Sequence, residues 1–232
     1  MAARPDIRRA CAADFPAVMQ INQLTWPEEE IRLSQVEKVL HDPAHDVFMV
    51  EMQGQAAGFI DGFITRSAQG ELRWEVDLLA VHPGWRGRQL GQHLIRACLQ
   101  AGQERGAGFA RALIQVENRA SQTSFARSGF DCQPEILSLY IASAEEGISP
   151  SVESAGHVLV VNTLHYFGLW LEEDQRSASL SAARAACWQA NCELVGTLVI
   201  QSDLSDNKKM SELGFTKVND YHWWVRSFKT DA

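Results

Sequence analysis

Residues 82–94 read HPGWRGRQLGQHL, with three glycines (Gly84, Gly87, Gly91) and two arginines (Arg86, Arg88) crowded ahead of apolar residues at helical spacing. A strand that stops at Val81, a glycine-bearing turn and a helix beginning near Gly87 would aim several unpaired backbone N–H groups at one point, an arrangement that binds anions. Glycine at 87 and 91 lets the main chain approach oxygen atoms closely, while Arg86 and Arg88 add charge-assisted hydrogen bonds to phosphate. The expected guest is a pyrophosphate. The turn is not a P-loop, because no Lys-Ser/Thr pair follows its last glycine, and it lacks the GxGxxG spacing of dinucleotide-binding folds. A tight strand-to-helix connection with incidental surface arginines is the competing reading of the turn taken alone.

The elements that must hold this turn can be read from periodicity. Ile7 to Arg9 is a short strand and Ala13 to Leu24 a helix begun near Asp14. A second helix is expected to start at Trp26-Pro27-Glu28-Glu29-Glu30, where a first-turn proline and acids suit the positive end of a helix. Residues 47–53, 56–66 and 71–81 alternate as strands separated by turn residues, which implies an antiparallel meander. Leu90, Leu94, Cys98 and Ala101, with Ile95 and Leu99 beside them, then mark one face of a helix ending around Gly106. RALIQVE (111–117) is another strand. Asn118 is placed to cap a helix that runs to Ser128, with Gly129 as its stop.

Composition narrows the class. With 232 residues, 46% apolar and 22% charged, the chain can bury a sizeable core, and it has no apolar run long enough for a bilayer. MAARPDIRRACAADF lacks an apolar signal core, and the five cysteines (11, 98, 132, 187, 192) show no CxxC spacing, so reduced thiols in a cytoplasmic protein are expected. A formal charge of −8 argues against nucleic acid as a partner, yet a local basic patch survives because screening confines each charge to about 8–10 Å. His41 and His45 have helical metal spacing, but Pro43 between them breaks a helix, so they read as a surface loop and no metal is expected. Tyr221-His222-Trp223-Trp224 reads as core and interface in the last strand.

Residues 143–156 are rich in Ser, Gly and acids and read as a linker between two modules, 1–142 and 157–232. An internal repeat crosses it. ALIQVENRASQTSFARSGF (112–130) aligns without a gap on TLVIQSDLSDNKKMSELGF (197–215), and both end in Gly-Phe. Carried back at the same offset, DLLAVHPGW meets NTLHYFGLW, Trp85 falls on Trp170, and RGRQLG falls on LEEDQR. The second copy is therefore expected to keep the scaffold and lose the turn. Being only a half module, it needs a partner for its edges and apolar face, either the first module in a monomer or another chain in a homodimer.

EVDLLAVHPGWRGRQLG (75–91) resembles the signature of the GNAT superfamily of N-acetyltransferases, a strand ending in LAVHP followed by Arg/Gln-x-x-Gly-x-Gly/Ala at a helix start. Asn118 through Gly129-Phe130 matches that family's next strand-helix segment, so the likeness covers roughly residues 5–142. One departure stands inside the motif, where Gln89 replaces a glycine; a helical backbone there would tolerate it. The resemblance implies an α/β (α+β) acyl-CoA N-acyltransferase fold, with a mixed central sheet flanked by helices and a C-terminal partial repeat of the same fold. It also implies acetyl-CoA, with the pyrophosphate on the main chain of Arg86, Gly87, Arg88, Gln89, Leu90, Gly91 and Gln92. The pantetheine arm would run along Leu79, Ala80 and Val81, with Asn118 and Phe125 bordering it.

Acetyl transfer to an amine needs the neutral amine, and a lysine-like acceptor of pKa ~10.4 is almost wholly protonated at pH 7, so a base is required. Glu75 and Asp77 are the candidates. Simple strand alternation puts both on the face of Leu79 and Val81, and Glu75 matches the position at which some GNAT members place a base. Solvated or ion-paired acids remain the alternative. Many members carry a tyrosine four residues before the Gly-Phe stop to protonate the departing thiolate. This chain has Phe125 there, leaving that step to water or to Tyr140 or Tyr166. The function expected is transfer of acetyl from acetyl-CoA to a primary amine of a small molecule or peptide. The alternative is a catalytically weak acyl-CoA-binding or protein-interaction module.

Overall fold

The three alternating runs form the expected meander, β2 (His45–Met52), β3 (Gln55–Arg66) and β4 (Leu72–Val81), with β1 (Asp6–Arg9) antiparallel to β2 at its edge. The two-residue turn Gln53-Gly54 has φ of 55° and 76°, the mirror-image geometry that matches the twist of a tight hairpin. The computed structural model describes residues 4–29, 31–146, 157–172, 176–201 and 204–228. Of the expected linker, residues 147–156 lie outside these, as do Glu30 and residues 173–175.

The remaining elements are α1 (Phe15–Thr25), α2 (Leu33–His41), α3 (Leu90–Glu104), β5 (Phe109–Gln115), α4 (Arg119–Arg127), β6 (Asp131–Cys132), β7 (Leu137–Ser143), β8 (His157–Asn162), β9 (Phe167–Glu172), α5 (Ser177–Gln189), β10 (Leu194–Ile200), α6 (Leu204–Glu212) and β11 (Thr216–Ser227). Helix α2 starts at Leu33, later than the expected Trp26: the proline and acids of 27–29 occupy a turn. Proline without a following apolar stripe was a weak start signal.

The chain gathers into two units that do not follow its order. One comprises Met1–Ile114, Asn118–Gln133 and Trp223–Ala232, the other Gln115–Glu117 and Pro134–His222. Residues 134–142, expected with the first module, belong to the second unit, and the end of the last strand belongs to the first.

In the first unit the strand order is β1-β2-β3-β4-β5 and then the end of β11, with β5 parallel to β4 and β6 pairing β11 at Trp224↔Cys132. Helix α3 covers one face. Trp74 is fully buried there and donates its indole N–H to Cys98 Sγ at 3.2 Å. A Cβ added at Gly102 would lie 2.6 Å from that ring, so only glycine lets α3 approach so closely. Phe125 and Phe130, edge to face at 4.9 Å, and Trp224 complete the same core. The opposite face is built from Phe15, Val18, Ile21, Val36, Val39, Met49 and Phe59. α1 packs on β3 and β4, and α2 on β2.

The second unit has the order β7-β10-β9-β8, with β11 antiparallel to β7 and β10 parallel to β9. Its core centres on Leu169, Leu171, Leu180, Ala183, Cys187 and Val195. The parallel pair repeats that of β4 and β5. Phe109 opposes Arg73 and Leu194 opposes Gly168, so the gapless offset of the repeat ends upstream of β10, and the position in the second copy equivalent to Arg73 is Gly168. Trp170 therefore lies inside a strand while Trp85 lies in a turn, which corrects their expected equivalence. The connection from β9 to α5 is shorter than that from β4 to α3, because the copies differ by deletion as well as by substitution at the turn.

Candidate active site

The turn after β4 is tightly wound. His82 Nδ1 accepts the N–H of Gly84 at 3.1 Å, and the N–H groups of Trp85 and Arg86 return to the carbonyls of His82 and Pro83. Gly87 has φ 76°, a conformation that disfavours side chains, and an added Cβ would meet nothing. Gln89 is the N-cap of α3 and takes φ 61°, in the left-handed region. This corrects the expectation that helical backbone makes glutamine harmless there: α3 begins at Leu90, and position 89 precedes it. The strain of a left-handed non-glycine residue costs about 1–2 kcal/mol.

Among the described residues, no backbone hydrogen bond uses the N–H groups of Gly87, Arg88, Gln89, Leu90 or Gly91, while those of Gln92 and His93 return to Gln89 O at 3.1 and 3.3 Å. Five consecutive donors at the positive end of a helix are thus without an internal acceptor. A Cβ at Gly91 would make only ordinary contacts, 3.6 Å to Leu79 and 3.9 Å to Ser124. The fold itself does not demand glycine at 91. Arg86 Nε is held on Val81 O at 3.1 Å, and the Arg88 guanidinium lies over the Trp85 ring at 4.9 Å.

Beside the turn, β4 and β5 part. Their pairing covers Arg73↔Phe109, Trp74↔Ala110 and Glu75↔Arg111 and goes no further, although both strands continue. On its other side β4 carries a bulge. Ile60 opposes Leu79 and Gly62 opposes Val76, so Asp61 faces two residues, Asp77 and Leu78. The bulge flips the alternation. Trp74, Val76, Leu79 and Val81 pack with the α3 core, whereas Glu75 pairs with Phe63 on the opposite face. Simple alternation had put Glu75 and Asp77 with Leu79 and Val81; the inserted residue is why they are not. Ala80, opposite Phe59, is fully buried on the Glu75 face.

The two candidate bases differ in their surroundings. Glu75 is buried, and both its oxygens are engaged: Oε1 accepts Thr65 Oγ1 at 2.6 Å and pairs with Arg73 Nε at 2.9 Å, and Oε2 accepts Arg111 Nε at 2.7 Å. Asp77 is exposed and, among the described residues, takes part in no hydrogen bond or ion pair. The enclosing protein first, and then the Asp61 carboxylate, push its pKa up to about 7; His45 pulls it down and Glu75 adds to the rise. Because Asp77 is exposed, desolvation is the weaker argument, and the two neighbouring carboxylates alone give the same direction.

Behind Asp77 lies a pair that sequence reasoning missed. His45 is a buried strand residue at the start of β2, which corrects its reading as surface loop; His41 is the exposed end of α2. His45 Nδ1 lies 3.0 and 3.2 Å from the two oxygens of Asp61, and its ring stacks on Phe63 at 4.7 Å. Burial disfavours the imidazolium, but Asp61, with Asp42 and Asp77 behind it, raises the His45 pKa on balance. The available signal was Asp61, the one acid in AAGFIDGFITR.

Other expected residues are more plainly structural. The Asn118 carboxamide accepts Ser121 N–H at 3.1 Å as the cap of α4. Phe125, 3% exposed, faces Phe130 in the core. Tyr140 is buried in the second unit's core, and Tyr166 lies in that unit too, its main-chain N–H bonded to Thr163 Oγ1. Trp223 and Trp224 divide as ring platform and core: the Arg111 guanidinium lies 4.1 Å from the Trp223 ring, and Trp224 joins the α3 core. No cluster of potential metal ligands occurs among the described residues, and none of the helices they form is long and apolar enough to cross a membrane.

Residues 13–130 match the Acetyltransferase (GNAT) family, just over half of the chain, and the chain belongs to that family of acetyl-CoA-dependent acyltransferases. Its fold is similar to that of a tandem GNAT protein from the clavulanic acid biosynthesis pathway, with 13% identity and TM-score 0.61 over 99% of this chain and 100% of that one. It is also similar to the glucosamine N-acetyltransferase region of a fungal multi-domain GH3 beta-N-acetylglucosaminidase, with 11% identity and TM-score 0.63 over 97% of this chain, which spans 38% of that protein. The aminoglycoside N-acetyltransferase AAC(6')-Iy in complex with CoA matches over 56% of this chain and 90% of its own, with 22% identity and TM-score 0.51. No curated protein matches the chain.

Proposed function

We propose that the chain transfers the acetyl group of acetyl-CoA to a primary amine of a small molecule or peptide, with Asp77 as the base. The observation that carries this is the run of five N–H donors, Gly87 to Gly91, without internal acceptors at the mouth of α3. These donors, with the free ends of Arg86 and Arg88, suit a pyrophosphate, and the β4 edge past Glu75, parted from β5, suits the amide-bearing pantetheine arm at Leu79, Ala80 and Val81. Gln92, whose N–H is used within the turn, Asn118 and Phe125 are left with supporting roles. Acetyl-CoA supplies an activated thioester carbonyl.

The chain's own residues supply orientation and a proton acceptor. Of the two candidate bases, Asp77 is the one that makes no hydrogen bond or ion pair among the described residues, and its raised pKa lets it take a proton from an ammonium acceptor, directly or through water. Glu75, held by Arg73 and Arg111, is the anchor of the strand fork. The exposed Asp77 carboxylate favours a cationic acceptor. Phe125 offers no hydroxyl, but a thiol of pKa ~8.5 departs acceptably with water as proton donor.

Calorimetry with CoA, alongside release of free thiol from acetyl-CoA over a panel of polyamines, amino sugars and peptides, tests this reading. Micromolar CoA binding and turnover on at least one cationic amine are expected. Binding without turnover on any of them overturns the transferase assignment, and absence of binding overturns the anion site.

A further inference from the structure

We infer that the buried Asp61–His45 pair is a positioning device for Asp77, a fixed dipole whose negative end sets the pH at which Asp77 takes up a proton. The inference rests on the reading of Asp77 as the base. Its geometry comes from sheet order: His45 is on β2, Asp61 on β3 and Asp77 on β4, so Asp61 lies between the other two and nearer to Asp77. The β4 bulge places Asp77 and Leu78 directly opposite Asp61. Packing alone gives no reason for the pair. Asp61 is 0% exposed in an otherwise apolar run, and a buried ion pair is commonly no more stabilising than apolar residues of similar size.

Few other charges face Asp77. Glu75 is balanced by Arg73 and Arg111. Asp46, next to His45 along β2, is occupied by Arg9 and Arg105. Helix α1 carries no titratable side chain, and on α2 Glu37, Lys38 and His41 are exposed. Asp42, before β2, acts on His45 and reinforces its charge. The Asp61–His45 dipole is thus the dominant unbalanced field at Asp77, with the Asp61 charge outweighing the more distant imidazolium.

The test is a pH titration of the full chain by NMR, reading the carboxyl carbons of isotopically labelled aspartates and the His45 ring protons. Asp61→Asn keeps an acceptor for His45 and removes the charge; it should lower the Asp77 midpoint by about one pH unit or more. Because linkage is reciprocal, Asp77→Asn should lower the His45 midpoint, and Asp77 is exposed, so this arm stands even if Asp61→Asn fails to fold. With acetyl-CoA and spermidine as the probe amine, the acid limb of kcat/KM should move to lower pH in Asp61→Asn, a change that a purely structural residue would not produce. Unmoved midpoints in both variants overturn the inference. Coupled midpoints with wild-type turnover in Asp77→Asn overturn instead the assignment of Asp77 as base.

Discussion

Glu75 Oε2 accepts the Arg111 Nε hydrogen at 2.7 Å on the last rung at which β4 and β5 are paired. With Arg73 on the other oxygen, the carboxylate pins the fork at the point where the strands separate. Removing it takes an ion pair from each of two arginines, one of them buried. Glu75→Ala is expected to cost about 3–5 kcal/mol, the usual penalty for breaking a buried pair, to weaken CoA binding, and to move the pH of half-maximal rate somewhat lower without abolishing the pH dependence, because the Glu75 carboxylate adds to the rise of the Asp77 pKa. Thermal melts and a pH series on any residual activity check this. Intact stability with a lost pH dependence would instead make Glu75 the base.

Asp77 is expected to behave in the opposite way. Asp77→Asn should lower kcat by about 10²–10⁴-fold at neutral pH, the usual range for a general base. In the wild type the rate should fall as pH drops through about 7, where the carboxylate is protonated. Stability has its own sign. A carboxyl whose folded pKa is raised binds a proton in the folded chain that the unfolded chain has already released, so its contribution is favourable near pH 4 and is lost by about pH 7. Asp77→Asn should therefore melt at a higher temperature than the wild type at pH 8, the trade expected of a group strained for function. A melt unchanged at pH 8 would show that Asp77 is not perturbed.

At Gly91 the fold and the ligand can be separated. An added Cβ meets Leu79 and Ser124 at ordinary distances, so Gly91→Ala should fold normally. Gly91→Glu should fold as well, yet weaken CoA binding by well over tenfold, because its carboxylate would stand among the donors meant for phosphate. Calorimetry with CoA beside a thermal melt measures both. Equal affinity in the Glu variant removes the anion site from this turn.

Gln89 supplies a test of strain. Its φ of 61° suits glycine, and Gln89→Gly should stabilise the chain by about 1 kcal/mol, or about 2–4 °C in Tm for a chain of this size. CoA affinity should hold or improve, since the donors are main-chain groups. A lowered Tm would mean that the glutamine side chain carries an interaction outweighing its backbone strain.

The meander, α3, the capped α4 and the position of the glycine-bearing turn before α3 were legible in the sequence because each depends on local chemistry: alternation, helical spacing, an Asn cap and glycines. The bulge at Asp77-Leu78 was hidden, since one inserted residue reverses every side chain beyond it while hardly altering the pattern; the adjacent Leu78 and Leu79 were its only trace. Gln89 was misjudged because its conformation depends on where α3 begins. His45 and Asp61 are sixteen positions apart, and only strand register brings them together. The exchange of chain ends between the units was equally unreadable, because no periodicity says which neighbours a strand will pair with.

That exchange gives the last prediction. Within the first unit, Trp224 is a buried core residue, Arg226 donates to Ser128 O at the end of α4, and Phe228 N–H donates to Gly108 O at 3.0 Å ahead of β5. A fragment of residues 1–142 would lack all three and would keep β7 without the β10 and β11 neighbours it pairs with in the second unit. Losing one buried tryptophan alone costs about 3–5 kcal/mol, a large share of the stability of a typical domain. The fragment should therefore be unfolded or aggregated, and adding residues 216–232 as a separate peptide should not restore it, because β7 would still lack β10. Circular dichroism and a thermal melt of the fragment decide the matter: a cooperative transition like that of the whole chain would show that the first 142 residues form a module of their own after all.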